Sequence, residues 1–121
     1  MIGYAMIGSN DFAKAKGFYD AVLAELGGQR SFANDHMQGW SGKGGAMLAV
    51  CTPADGKPAT AGNGTMLALA SPSKELVDKV HAKAMSLGAR DEGAPGERLP
   101  TFYGAYFRDL DGNKLCVFHM G

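Results

Sequence analysis

The feature that most constrains this chain is a repeated order of elements. Two helical stripes close on Leu26-Gly27 and Leu87-Gly88, an offset of 61 in a chain of 121 residues. The first stripe places Phe12, Ala15, Phe18 or Tyr19, Val22, Leu23 and Leu26 at three- to four-residue spacing. Lys14, Lys16, Asp20 and Glu25 fall between them, so one face is apolar and the other polar. Ser9-Asn10-Asp11 offers N-cap oxygens, and Gly27 can take the left-handed conformation that ends a helix. The second stripe holds Leu76, Val77, Val80, Ala84 and Leu87, with Ser71 read as N-cap and Pro72 as first helical residue. The predicted helices span about 11–26 and 72–87.

Each helix is preceded by one short apolar strand, at 2–7 and 64–70, and followed by three. After the first helix these are 29–34, 37–42 and 45–51, separated by turn signals at Ala33-Asn34-Asp35 and Gly42-Lys43-Gly44-Gly45. After the second they are 89–93, 102–108 and 113–119, the last two joined by Asp109-Leu110-Asp111-Gly112. Residues 52–63 read as an exposed linker and 94–100 as a loop. The order β-α-β-β-β, linker, β-α-β-β-β describes an α+β duplication in one domain, with modules at about 1–52 and 64–121. Its expected core includes Phe12, Phe18, Val22, Leu26, Leu67, Leu69, Leu76, Val80, Leu115 and Val117. The 18 glycines in 121 residues suit many tight turns between short strands.

Charge excludes several function classes. Twelve basic residues balance twelve acidic ones, and no basic block is present, so no nucleic-acid or membrane partner is expected. No apolar run is long enough to span a bilayer, and no secretory signal is visible. Cys51 and Cys116 form neither a disulfide framework nor a CxxC knuckle, which points to a reducing cytoplasm.

Three stretches together resemble one family. Met6-Ile7-Gly8-Ser9-Asn10-Asp11-Phe12-Ala13-Lys14-Ala15-Lys16-Gly17-Phe18-Tyr19-Asp20 is similar to an opening strand followed by D-x-x-x-A-x-x-F-Y. Gly62-Asn63-Gly64-Thr65-Met66-Leu67-Ala68-Leu69-Ala70 looks like the start of a second module. Tyr103-Gly104-Ala105-Tyr106-Phe107-Arg108-Asp109-Leu110-Asp111-Gly112-Asn113-Lys114-Leu115 is similar to a closing F-x-D-P-D-G-N hairpin. In that order they resemble the vicinal oxygen chelate superfamily, which includes glyoxalase I, bleomycin-resistance proteins and extradiol dioxygenases. The resemblance implies two βαβββ modules forming a cupped mixed sheet, with helices outside and the site inside, in a protein that commonly forms homodimers.

The resemblance also implies where a metal would be held: a His on the first strand, a His on the first strand of the second module, and a Glu on the last strand. Those positions carry Tyr4, Met66 and Cys116. Strand alternation agrees, because Ala5, Ile7, Leu67, Leu69, Leu115 and Val117 suit the helix side and leave the neighbouring residues facing the cup. Tyr and Met are poor ligands for the divalent ions of this family, and the variable fourth position, near Met47 to Val50, offers no donor. No metal and no cofactor are therefore expected.

The expected ligand-binding set is Tyr4, Met6, Met66, Cys116 and Phe118 in the cup, with Trp40, Arg98 and Tyr103 on its rim. Trp40 could stack on a flat ligand or pack in the core. Arg98 could pair with an anionic group, beside a 94–102 loop acting as a lid. His81 reads as a solvated helix residue, His36 as an exposed turn residue, and His119 as a frayed terminus or a residue at the cup mouth. No catalytic residue is assigned. The favoured reading is a metal-free protein binding a small, partly apolar molecule. Two others stay open: a metal-dependent lyase or dioxygenase with rearranged ligands, drawing on His36 or His119, and a metal-free enzyme using Tyr4 or Cys116.

Overall fold

The computed structural model describes residues 1–121. The element order is β1 (Tyr4–Gly8), α1 (Phe12–Ala24), β2 (Gln29–Ala33), β3 (Met37–Ser41), β4 (Met47–Cys51), β5 (Leu67–Ala70), α2 (Lys74–Ser86), β6 (Arg90–Leu99), β7 (Phe102–Arg108) and β8 (Lys114–Met120). The duplication is complete. One four-stranded sheet runs β1-β4-β3-β2 and the other β5-β8-β7-β6. In each, the first strand lies parallel to the last and the remaining pairs are antiparallel.

Both helices start on side-chain caps. Asp11 accepts the Lys14 N–H, as expected. In the second helix the cap is Ser73, which accepts the Leu76 N–H, and not Ser71. Ser71 instead donates its hydroxyl to the Ser73 carbonyl, so Ser71-Pro72 forms the turn that sets up the cap. Both helices are shorter than predicted: each starts after its cap, Asp11 or Ser73, and each last turn tightens onto a glycine, Gly27 or Gly88, at φ +79° and +96°.

The region expected as a loop at 94–100 is strand. β6 runs through it, and Pro95 is tolerated because β6 is the outer strand of its sheet. Its register against β7 shifts three times, which hides the period-2 pattern that identifies a strand. The turn lies at Pro100-Thr101 instead.

The helix-bearing faces of the two modules share one core. Val22, Phe18 and Tyr19 of α1, Val77 and Val80 of α2, and Phe107, Leu115 and Val117 of the second sheet belong to a single buried cluster. Phe18 lies 6.5 Å from Phe107 across the module boundary. Of the expected core, Phe18, Val22, Val80, Leu115 and Val117 are buried, while Phe12, Leu26, Leu67 and Leu69 pack partly buried against them. Leu76 is only half-buried and lies outside the cluster.

The closing hairpin is also the clasp between modules. The Asp109 carboxylate accepts the Asp111 and Asn113 N–H groups on Oδ1. Its Oδ2 accepts the Asn113 amide and, at 2.6 Å, the hydroxyl of Tyr19 from the other module. Asn113 also donates to the Gly8 carbonyl at the end of β1, and Asp111 accepts the Asn10 N–H. Asp, Asn and a left-handed Gly112 are what this turn requires. The linker is exposed but pinned: Asn10 and Ala59 exchange two hydrogen bonds, and a Cβ at Gly8 would stand 2.8 Å from the Ala59 Cβ.

His81 is the other correction. It is 8% exposed, paired with Asp91 at 3.0 Å and packed edge-on to Phe107. Its flanking lysines disguised an inward position on the helix.

Candidate functional site

The faces turned away from the helices are the open ones. On the first sheet Tyr4 pairs in register with Met47 and Met6 with Ala49, and Tyr4 and Met6 are 60% and 52% exposed. On the second, the register sets Cys116 between Ala68 and Tyr106, and Phe118 between Ala70 and Gly104. Met66, just ahead of β5, is exposed. Five of the expected cup residues therefore lie on helix-distant faces or beside them, as alternation requires. They do not form one continuous cup within the chain, since no ladder joins β1 to β5.

Arg98 is on the same face of the second sheet, and Trp40 and Tyr103 are not. The Trp40 side chain is buried on the helix side, with its indole N–H donated to Asp20 at 2.9 Å and its ring 5.8 Å from Tyr19. Tyr103 also points to the helix side and donates to Asp78 on α2 at 2.6 Å. Both side chains face away from the open sheet faces, and both placements follow from the register, since Trp40 pairs with Leu48 and Tyr103 with His119. His119 sits on the helix side, its Nδ1 3.0 Å from the Ser71 carbonyl oxygen, away from any cup mouth. His36 is exposed in its turn.

Two residues not singled out from the sequence occupy the second sheet's open face. Tyr106 neighbours Cys116, and Lys114 pairs in register with Arg108. The Arg98 guanidinium lies 5.4 Å and the Lys114 ammonium 5.7 Å from the centre of the Tyr106 ring. Alternation along β7 was the available signal: with Phe107 in the core, Tyr106 has to face the other way. Burial pushes the Cys116 thiol up, and the nearby Tyr106 hydroxyl, Arg98 and Lys114 act in the opposite direction. Burial also raises Tyr106, and Cys116 adds to it. Both groups are thus neutral at physiological pH, a thiol and a phenol and not a thiolate or a phenolate.

A groove of about 660 Å³ also lies between the free edges of β1 and β5. Its floor is Leu23, Leu26, Trp40 and Leu48, and Ala5, Met66 and Leu67 stand at its sides.

A divalent metal is implied by the superfamily. The side chains at its three inherited positions are a phenol, a thioether and a buried thiol, and no three His, Cys, Asp or Glu side chains of the chain cluster closely enough to hold an ion. This donor set does not fit the ions concerned.

Comparison with known proteins gives the same family. The profile of the Glyoxalase/Bleomycin resistance protein/Dioxygenase superfamily matches residues 1–117. A glyoxalase/bleomycin resistance protein from Albidiferax ferrireducens T118 is 38% identical, with 100% of this chain and 99% of that one aligned at a TM-score of 0.93. A family enzyme from Burkholderia phytofirmans PsJN aligns over 98% of both chains at 22% identity and a TM-score of 0.79. A lactoylglutathione lyase from Agrobacterium tumefaciens aligns over 98% of this chain and 92% of its own at 20% identity and a TM-score of 0.73; the likeness to these last two shows the fold. No curated protein matches the chain. With nearly its whole length matched by the family profile, and its two βαβββ modules in the order the family uses, the chain belongs to the glyoxalase/bleomycin resistance protein/dioxygenase superfamily.

Proposed function

We propose that this protein binds a small, partly apolar molecule on the open faces of its two sheets, without a metal, as a homodimer. The observation that carries the reading is the set of side chains at the inherited ligand positions: Tyr4 and Met66 are exposed and are poor ligands, Cys116 is a buried thiol with no second donor beside it, and none is the His or Glu of the inherited set. In their place stand a phenol, thioethers and aromatic rings. Such surfaces suit adaptable contact with an apolar ligand, and a few polar groups fix its orientation.

The dimer is supported by the two free edges. β1 and β5 are both outer strands. β1 and its approach expose Ile2, Tyr4 and Met6, and β5 follows the exposed Met66. Unpaired apolar edges of this kind invite pairing with another chain. A second copy is the occupant that satisfies both at once, because a two-fold axis brings β1 of each protomer to β5 of its partner in one self-complementary contact. Each open face is then continued by the partner's, so the dimer has two eight-stranded surfaces, each of them a cup.

The test is ligand binding with and without chelator. A library of small aromatic and aliphatic compounds is screened by thermal shift, and hits are titrated calorimetrically against the wild type, Tyr4→Phe and Met66→Ala. The reading predicts hits whose affinity is unchanged by EDTA and altered several-fold by these substitutions. Binding abolished by EDTA and restored by one divalent ion per chain refutes it and favours the metal-dependent alternative.

A further inference from the structure

We infer that the open face of the second sheet carries a carboxylate-binding site built from Arg98, Lys114 and Tyr106, so that the molecule taken by this protein is an organic carboxylate with a flat apolar body. The inference rests on the reading of these faces as the ligand surface.

The seat is built into the backbone. Arg98 doubles back across two glycines of β6: a Cβ at Gly96 would stand 2.9 Å from its Nη1, and one at Gly93 would stand 3.2 Å from its Nη2 and 3.0 Å from Cδ2 of Tyr106. Glycine at both positions leaves the space in which the guanidinium lies on the sheet and over the Tyr106 ring.

The two cations are also available. Every ion pair in the chain is accounted for by Arg30 with Asp20, Lys74 with Glu97, His81 with Asp91, and Arg108 with Glu92. Arg98 donates only to the Ala94 carbonyl, leaving most of its five N–H groups free, and Lys114 has no carboxylate within 4 Å. Of the two glutamates of β6, Glu97 is drawn to the helix side by Lys74, and Glu92 is bonded to Arg108, with Lys114 acting on it only at longer range, so Arg98, Lys114 and Arg108 outnumber the one carboxylate of Glu92. The face therefore presents unneutralised positive charge beside a neutral phenol hydroxyl.

The surroundings select the ligand class. Next along the sheet, Phe102 and Phe118 stack at 5.2 Å and 7° between planes, with Phe102 lying over Gly104, where a Cβ would meet its ring at 2.9 Å. This gives a flat apolar plate beside the cations. A planar guanidinium fork matches a carboxylate. A phosphate dianion is better served by a helix N-terminus or a nest of free amides, and the N–H of Gly93 is already given to Asp91.

The experiment titrates the intact protein with 2-naphthoate, 2-naphthamide and inorganic phosphate, following calorimetric heats and amide NMR shifts. Binding of 2-naphthoate at least tenfold tighter than 2-naphthamide is expected, with shifts centred on Arg98, Tyr106 and Phe118. Arg98→Gln and Lys114→Gln should each weaken naphthoate about tenfold and leave the amide unchanged, while Arg98→Lys recovers only part of the loss. Arg98 is exposed, so these variants should melt with the wild type, and thermal denaturation checks that. Equal affinity for acid and amide, unaffected by Arg98→Gln, overturns the carboxylate site while leaving apolar ligand binding intact. Phosphate displacing naphthoate at equal concentration overturns the choice of carboxylate. Failure of both naphthalene probes to bind at millimolar concentration overturns the site and the functional reading together.

Discussion

Removing one oxygen atom, in Tyr19→Phe, should cost far more than removing one in Tyr4→Phe. Tyr19 is 1% exposed and Asp109 is 6% exposed. The hydroxyl donates to Asp109 Oδ2 at 2.6 Å, across the boundary between modules. A hydrogen bond to a charged group contributes about 1.5–3 kcal/mol, and Asp109 keeps its other three donors, so a loss of about 2 kcal/mol is expected. For a domain of this size that lowers Tm by about 8 °C. Phe fills the same space, so no cavity term is added. Burial and then Asp109 push the Tyr19 hydroxyl well above its ordinary value. A neutral group favoured in the fold loses its advantage when the unfolded chain ionises, so this stability is full below about pH 10 and declines above it. Tyr19→Phe should remove the Tyr19 part of the alkaline decline and leave the part that comes from the other raised groups, Tyr103, Tyr106, Cys51 and Cys116. Tyr4 is 60% exposed, and its change to Phe should stay within about 0.5 kcal/mol. Urea denaturation measures both. Tyr19→Phe unfolding within about 0.5 kcal/mol of wild type would refute the clasp.

Phe107→Ala, which empties a fully buried site touching α1 and α2, should destabilise by about 3–5 kcal/mol in the same assay. Met66→Ala, at an exposed position, should cost less than about 1 kcal/mol, which makes it a clean probe of binding. Asp91 is held below the usual carboxylate range by the Gly93 N–H and then by His81. Its contribution is present above that range and is lost as pH falls through its depressed pKa, so acid titration by NMR should show the Asp91 carboxyl moving back toward its ordinary value in His81→Leu.

The helices and the duplication were legible because both modules repeat the same grammar: cap, 3.6-residue stripe, glycine stop. The strands near them were legible where alternation is clean, as in Ala5, Ile7, Leu115 and Val117. β6 was legible only in its first residues, within the strand expected at 89–93; beyond them its bulges break the period and Pro95 and Gly96 signal a loop, and only its outer position in the sheet makes those residues acceptable. His81 was misread because its polar neighbours suggested a solvated face, whereas its partner Asp91 is ten residues away on another element. Trp40 and Tyr103 show the limit for site residues. An aromatic on a strand can face either side, and the pairing register, which decides it, depends on partners distant in sequence. Tyr106 and Lys114 were within reach by the same alternation that placed Cys116 and Phe118, but their meeting with Arg98 depends on two glycines that only the three-dimensional arrangement explains.

The central claim is a metal-free ligand site completed by a second copy of the chain. Native mass spectrometry of protein purified without chelators tests it most directly, because mass, oligomeric state and bound metal are read in one spectrum. The account predicts a dimer at twice the 12.6 kDa chain mass, bare or carrying an organic adduct, with no divalent metal. A stable monomer at all concentrations, or one zinc, nickel, iron or manganese ion per chain, contradicts it.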